Sequence, residues 1–372
     1  MIRIGITGQA GFVGTHLFNT LGLSPDKFIR IPFEDSYFAE QSKLEEFVGS
    51  CDAIVHLAAM NRHGDPQVIY DTNLRLVREL IGALEATGST PQVLFSSSTQ
   101  EERDNPYGRS KREGREMLVN WAARNNATFT GLVIPNVYGP FGHPYYNSVV
   151  STFCHQLTHG ETPFIDVDGQ LKLIYVGELT RIFRHHIDEK TSNPALFVPH
   201  TVEKHVSEIL SILQTFRTSY LVLHTFPSLP DNFHLNLFNT FRCFMDIPNY
   251  YPVKLKMNTD NRGTFVETIK AEMGGQVSFS TTKPGITRGN HFHTRKIERF
   301  AVISGQARIQ LRRIGTSEIL NFDLSGDEPS FVDMPIWYTH NITNTGTNEL
   351  LTIFWINEFF DPADPDTFFE LV

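Results

Sequence analysis

Two strand rhythms divide this chain. Residues 1–190 alternate short β-rich runs with helical patterns, whereas from about Tyr250 short strands follow one another at intervals near ten residues. "IRIGIT", "KFIRIPF", "AIVHLAA", "QVLFSSS" and "TFTGLVI" are apolar runs of the kind buried on both faces of a parallel sheet. Between them lie helical stretches such as "NLRLVRELIGALEATG" and "GRSKREGREMLVNWAARNN". That alternation predicts an α/β, doubly wound parallel sheet. Later, "GTFVETI", "GQVSFSTT", "RFAVISGQARIQLRR", "EILNFDL", "PSFVDMP" and "LLTIFWINEFF" are separated by Gly, Pro, Asn and Asp turns, the texture of an all-β barrel or jelly roll. A chain of 372 residues exceeds the size at which single cores stop growing. The expected domains are therefore 1–247 and 248–372, with the helical, Phe- and Leu-rich residues 200–245 completing the first.

The net charge of −9 argues against nucleic acid or an anionic membrane as the main partner. No apolar run reaches the ~18–20 residues that span a bilayer, and "MIRIGITG" enters a strand pattern at once, without a signal-peptide pattern. Cys51, Cys154 and Cys243 are odd in number and far apart, suggesting neither a disulfide framework nor a zinc finger. A cytoplasmic, reduced protein is expected.

In "ITGQAGFVG", Gly8, Gly11 and Gly14 follow the first strand and open the first helix. Glycine there permits a tight turn and the approach of backbone to a pyrophosphate. The helix N-terminus, at Phe12 and Val13, then faces the phosphates. The spacing points to a dinucleotide, the bland alternative being a glycine-rich loop that packs for its own sake. An NAD binder wants an acid at the end of the second strand. Here "FIRIPFED" has Arg30 at the strand end, which suits a 2′-phosphate, so NADPH is the expected cofactor.

In "NPYGRSK", Tyr107 and Lys111 stand at i and i+4 on one helix face. An ammonium beside a phenol favours phenolate and is expected to lower the tyrosine pKa. Such a tyrosine can pass a proton to a carbonyl oxygen as hydride reaches carbon. Alone the pair is an ordinary surface motif. Its weight comes from "LFSSST", which ends the preceding strand and offers Ser98 to the same oxygen.

"TGQAGFVG", "AIVHLAA", "SSS", "YGRSK", "PNVYGP" and "IYVGEL" resemble, in order, the motifs of the extended, nucleotide-sugar branch of the short-chain dehydrogenase/reductase family, whose fold is Rossmann-like. The resemblance implies that Ser98, Tyr107 and Lys111 are a catalytic trio. It implies that Leu57, Ala58 and Ala59 line the cofactor, and that Asn136 and Asn147 contact the nucleotide sugar. Two features depart from the family. Only eight residues separate Ser98 from Tyr107, and the arginine usual before "NVYGP" is missing.

The stretch "GITRGNHFHTRKIERFAVISG" carries different chemistry. On a strand, residues i and i+2 point the same way, so His291 and His293 share a face. Glu298 would point away unless "TRKI" supplies a turn. His340 comes from a separate strand. Three imidazoles and a carboxylate suit zinc or another divalent transition ion. An isolated HxH in a chain with 15 histidines is a chance event. The wider spacing is not: Gly285, five residues, His291-x-His293, four, Glu298, six, Gly305 is the first cupin motif. The second is looser, with Pro335, His340 and Asn344 in place and Trp337 where a glycine is usual. The segment thus resembles a cupin, with His291, His293, Glu298 and His340 as metal ligands by that resemblance.

"DNRGTFVE" resembles the entry segment of cupin sugar-nucleotide 3- or 5-epimerases, which remove a proton α to a ketone. Tyr338 and Lys296 are possible acids there. A reductase followed by a cupin resembles, over nearly the whole chain, the bifunctional enzymes of capsule and O-antigen synthesis. That resemblance implies C3 epimerisation of UDP-2-acetamido-2,6-dideoxy-β-L-arabino-4-hexulose in the cupin. NADPH-dependent reduction of C4 would follow, giving UDP-2-acetamido-2,6-dideoxy-β-L-talose on the way to UDP-N-acetyl-L-fucosamine. It also implies a homodimer and a zinc ion. Two alternatives stay open: a 4-keto sugar reductase with a purely structural cupin, and a non-enzymatic NADPH sensor. The intact Tyr107/Lys111 pair speaks against the sensor.

Overall fold

The structure, a computed structural model, describes residues 1–372. The chain forms two compact units, Met1–Val149 with Asp168–Val206, and Val150–Val167 with Ser207–Val372. No helix is long and apolar enough to cross a membrane. All three cysteines are free thiols.

The first unit is built on strands β1 (Ile2–Thr7), β2 (Phe28–Ile31), β3 (Ala53–His56), β4 (Gln92–Ser98), β5 (Phe129–Ile134) and β6 (Asn193–Phe197). They pair in the order β2-β1-β3-β4-β5-β6, parallel throughout. Helices α1 (Phe12–Gly22), α2 (Gln41–Ser50), α3 (Pro66–Thr87), α4 (Pro106–Asn125) and α5 (Val176–Glu189) cover both faces. Alternate strand residues feed two cores. Ile54, Val93, Phe95 and Phe129 pack on Leu44, Phe47, Leu80 and Trp121 of α2, α3 and α4. Ile4, Ile6, Val55 and Leu132 pack on Leu17, Leu21, Leu179 and Phe183 of α1 and α5. Strand order switches direction between β1 and β3, and the crevice at such a switch is where open α/β sheets bind ligands.

Local signals fix the helices that matter. Asp65 caps α3 by accepting from Gln67 N at 2.9 Å, and Gly88 ends it in the left-handed region. Asn105 caps α4 by accepting from Gly108 N at 2.8 Å, with Pro106 at the first helical position.

The second unit is mainly antiparallel, its one parallel pair being Thr225–Phe226 with Lys270–Ala271. The strands of its main sheets are β7 (Val253–Lys254), β8 (Gln276–Thr282), β9 (Thr287–Phe292), β10 (Glu298–Ser304), β11 (Gln306–Arg313), β12 (Ile319–Ser325), β13 (Ser330–Met334), β14 (Tyr338–Asn344), β15 (Leu350–Ile356) and β16 (Phe368–Phe369). They form two five-stranded sheets, β7-β13-β10-β15-β8 and β12-β11-β14-β9-β16. This is the cupin-like, two-sheet architecture expected from the sequence.

Residues 207–247, expected to complete the first domain, pack instead in the second unit. The reason is a buried polar knot. Arg299 donates to both oxygens of Asp333, at 2.7 and 2.9 Å. Tyr220 donates to Asp333 Oδ2 at 2.6 Å, and Arg242 donates to Tyr220 Oη at 3.2 Å and to Met334 O at 3.0 Å. Phe226 stacks on Trp355 with ring centres 4.3 Å apart. Buried charges need partners, so the strands hold these helices. The units therefore do not divide at residue 247.

Candidate functional sites

The glycine turn closes the crevice at the β1/β3 switch. Gly8 has φ +70°, and a side-chain carbon there would lie 2.8 Å from Ala58 N. One on Gly14 would lie 2.3 Å from Gly8 O. Both positions therefore require glycine, and Leu57 and Ala58 abut the turn. Gly11 N donates to Gly8 O at 3.0 Å, and Phe12 and Val13 begin α1 with backbone N–H groups that have no intrahelical acceptor. Such a turn at a helix N-terminus could hold a diphosphate.

Arg30, the expected partner of a 2′-phosphate, lies in β2. Its guanidinium lies over the Phe18 ring, 4.2 Å from the centroid, and donates to Phe18 O at 3.2 Å. Phe18 stands about 9 Å along α1 from its first residue, at ~1.5 Å rise per residue.

Ser98 ends β4, where its Oγ accepts from Gln100 N at 3.1 Å and lies near enough to the Tyr107 phenol to favour its ionisation. Tyr107 lies in the first turn of α4. Lys111, one turn on, is buried and donates from Nζ to Ser96 O at 2.8 Å. Its ammonium is 5.9 Å from the Tyr107 ring centre. The expectation of a lowered phenol pKa does not hold. Burial pushes Tyr107 up to about 12, against the pull of the nearby Ser98 hydroxyl. Burial also pulls Lys111 down to about 8. A phenol that keeps its proton at neutral pH is an acid, the role a ketone reduction requires.

Asn136 is the exposed first residue of the strand Asn136–Tyr138, where its amide donates to Lys172 O at 3.3 Å. Asn147 is exposed and follows Tyr145 and Tyr146, whose carbonyls accept from Arg62 Nη1 at 2.8 and 2.9 Å.

In the second unit, "TRKI" does turn the chain, and Glu298 starts β10 facing back toward the histidines. One ligand atom from each of His291, His293, Glu298 and His340 lies within 4.8 Å of all the others. Their Nε2 atoms stand 4.0, 3.0 and 3.1 Å from Glu298 Oε2. The other ring nitrogens are held by backbone: His293 Nδ1 by Asp366 O at 2.5 Å, His340 Nδ1 by Tyr338 O at 3.2 Å. Such outer bonds fix the tautomer that offers Nε2 to a metal. His293 Nε2 is buried without a properly angled hydrogen-bond partner. Burial and the neighbouring His340 hold His291 down to about 4, leaving it neutral. Burial opposes ionisation of Glu298, but His293 and His340 outweigh it and keep its carboxyl well below the usual range. Three imidazoles around an ionised carboxylate fit a divalent ion. Of the two possible acids, Tyr338 is raised to about 12 by burial, and Lys296 is buried with Nζ 3.6 Å from Glu358.

Residues 4–198 match the NAD dependent epimerase/dehydratase family, and residues 258–368 match the polysaccharide biosynthesis C-terminal domain. The chain belongs to the NAD dependent epimerase/dehydratase family. It is 34% identical, over 99% of its length and 98% of the relative's, to the UDP-2-acetamido-2,6-beta-L-arabino-hexul-4-ose reductase of Pseudomonas aeruginosa. It also resembles the solved structure of the capsular polysaccharide assembling protein CapF from Staphylococcus aureus, at 35% identity and TM-score 0.63, with all of both chains covered. A 125-residue stretch, 30% of this chain and 82% of the relative, is 24% identical to the spore coat polysaccharide biosynthesis protein SpsL of Bacillus subtilis.

Sequence reasoning passed over two residues of this epimerase/dehydratase chain. Asn73, buried in α3, accepts from Met60 N at 2.7 Å and donates to Ser110 Oγ at 3.0 Å. Ser110 Oγ in turn donates to Tyr107 O at 2.7 Å. Asn73 thereby ties the loop after β3 to the turn that carries the phenol. An asparagine on the apolar face of an amphipathic helix was the available signal. Tyr146 is the other: its phenol is near enough to Tyr107 to oppose that group's ionisation. It lies in a loop without periodicity, and no local pattern announces it.

Proposed function

We propose that this protein is a bifunctional nucleotide-sugar enzyme. Its cupin-like unit epimerises C3 of UDP-2-acetamido-2,6-dideoxy-β-L-arabino-4-hexulose. Its Rossmann-like unit then reduces the C4 ketone with NADPH to UDP-2-acetamido-2,6-dideoxy-β-L-talose, toward UDP-N-acetyl-L-fucosamine for capsule or O-antigen. The observation that carries the reading is the trio: Ser98 at the end of β4 near the Tyr107 phenol, and Lys111 buried one turn further on. The similarity to a reductase of the corresponding 4-keto sugar supports the substrate class. A homodimer with one zinc ion per chain completes the proposal.

The first unit would hold the cofactor by the glycine turn, Phe12, Val13 and the Leu57–Ala59 segment. When bound, the nicotinamide supplies hydride. Ser98 hydrogen-bonds the ketone oxygen and orients it. The Tyr107 phenol gives that oxygen its proton as the carbonyl carbon is reduced. Lys111, charged at neutral pH, stabilises the phenolate left behind. Asn136 and Asn147 are the proposed contacts to the nucleotide sugar.

In the second unit His291, His293, Glu298 and His340 would hold the zinc, which supplies a positive charge. The 4-ketone acidifies the C3 proton, so one carbonyl serves both reactions, and its enolate needs electrostatic stabilisation. The deciding experiment follows the 4-keto-6-deoxy UDP sugar by NMR in deuterated water, with and without NADPH. Deuterium at C3 without cofactor, and a C4 alcohol with it, are expected. Reduction without C3 exchange under any condition would leave a single-function reductase whose cupin serves structure alone.

A further inference from the structure

Three of the four candidate ligands, His291, His293 and Glu298, share a support that lies outside both cupin motifs. Asp366 sits near the C-terminus in "DPADPDTFF", is 4% exposed, and holds φ +39°, which residues other than glycine rarely adopt. That backbone turn sends its two oxygen-bearing groups to opposite sides of one loop. The carbonyl accepts from His293 Nδ1 at 2.5 Å. The carboxylate accepts the backbone N–H of Thr294 at 3.1 Å, of Arg295 at 2.9 Å and of Lys296 at 3.0 Å. It also accepts the Thr294 hydroxyl at 2.6 Å. Successive N–H groups around one anion form a nest.

Residues 294–296 are most of the link between His293 and Glu298. The geometry of that link decides whether Glu298 faces the histidines or points away. Two residues beyond Asp366, β16 pairs with β9, setting Phe369 opposite His291 and Phe368 opposite Phe292. One short tail therefore orients the His293 ring, sets the turn that aims Glu298, and adds a strand beside His291.

We propose that Asp366 is the positioning residue of the metal centre and that the C-terminal tail is its latch. The proposal rests on the metal reading of the His/Glu cluster. Its chemistry is that of an outer-shell acceptor: it touches no substrate and binds no ion, and it fixes where two ligands point.

The test uses the full-length chain. Zn2+ affinity is measured by competition with a chromophoric chelator, and the Co2+ absorption spectrum reports the ligand geometry. Asp366→Ala should weaken Zn2+ binding about 10- to 100-fold, the range for outer-shell partners, and alter the Co2+ bands. Asp366→Asn keeps one carbonyl oxygen for the nest, and should recover part of the loss and the native Co2+ bands. Affinity within about twofold of the unsubstituted chain and an unchanged Co2+ spectrum, in an alanine variant that melts cooperatively, would overturn the proposal. If the alanine variant does not fold, Asp366→Asn decides: several-fold weaker Zn2+ binding supports the latch, and unchanged binding overturns it. Failure of the unsubstituted chain to bind either ion would overturn the metal reading itself.

Discussion

Lys111 does not bond the phenol it accompanies. Its ammonium donates to Ser96 O at 2.8 Å and stands 5.9 Å from the Tyr107 ring centre. Ser98 is the neighbour that favours the phenol's ionisation. Lysine thus acts on tyrosine as a nearby charge, felt most once the phenol has given up its proton.

Removing the phenol oxygen separates the two proposed activities. Tyr107→Phe should lower ketone reduction at least about 100-fold, as loss of a general acid does, while deuterium still enters C3. NADPH consumption and NMR in deuterated water report the two rates. Loss of both in a variant with an unchanged melting curve would show that the division of labour is wrong.

The buried lysine sets a pH limit. Lys111 is pulled down to about 8 by burial, while Tyr107 stays protonated to about 12. The pH profile of kcat/KM should therefore fall as pH rises past about 8, when the ammonium is lost. Its effect on folding has the opposite sign. Between about 8 and the ordinary lysine value of 10.5 the unfolded chain holds a proton that the folded chain has released. Stability from this group therefore grows with pH across that window. Lys111→Met should abolish both dependences, which melting curves and rate profiles between pH 7 and 10 would reveal.

Arg30 offers a sharper view of cofactor choice. Its guanidinium already bonds Phe18 O and covers the Phe18 ring. Arg30→Ala is therefore expected to change the ratio of kcat/KM for NADPH and NADH by less than about threefold, under ~0.7 kcal/mol. A tenfold fall in that ratio would mean that the side chain leaves Phe18 to meet a 2′-phosphate.

The knot at Asp333 should dominate the stability of the second unit. Asp333 and Arg299 have side chains 0% and 2% exposed. Asp333→Ala leaves a buried guanidinium without its partner, a loss of about 3–5 kcal/mol. Tyr220→Phe removes one hydrogen bond to the same carboxylate and should cost about 1–2 kcal/mol. Denaturant midpoints of the two variants should fall in that order. Equal midpoints would mean the ion pair contributes no more than the phenol.

The parallel sheet was legible because its signals are local. Continuous apolar runs mark β1 to β5, and Asp65, Asn105 and Gly88 mark helix ends. The His/Glu cluster was legible because its spacing is fixed by strand geometry, and the turn at "TRKI" aims Glu298 at the histidines. Trp337 shows the limit of pattern matching. It stands where a glycine is usual, yet takes φ +62° and stacks on Phe292. Burial of the indole, about 3–5 kcal/mol by truncation, outweighs the ~1–2 kcal/mol of a left-handed backbone. Long-range effects stayed out of reach. The Tyr107 pKa is set by burial rather than by the lysine four residues away, and the allegiance of residues 207–247 is set by a carboxylate about a hundred positions later.

That allegiance changes how the protein can be cut. Composition shifts near residue 250, and a fragment started there would look like a complete barrel. It would lack Tyr220, Phe226 and Arg242, stripping Asp333 of its phenol and exposing the outer face of Trp355. Because Val150–Val167 also belongs to the second unit, that unit is interleaved with the first along the chain. No single scissile point yields both halves whole, so the two proposed activities are better silenced by point substitution than separated by truncation or domain exchange.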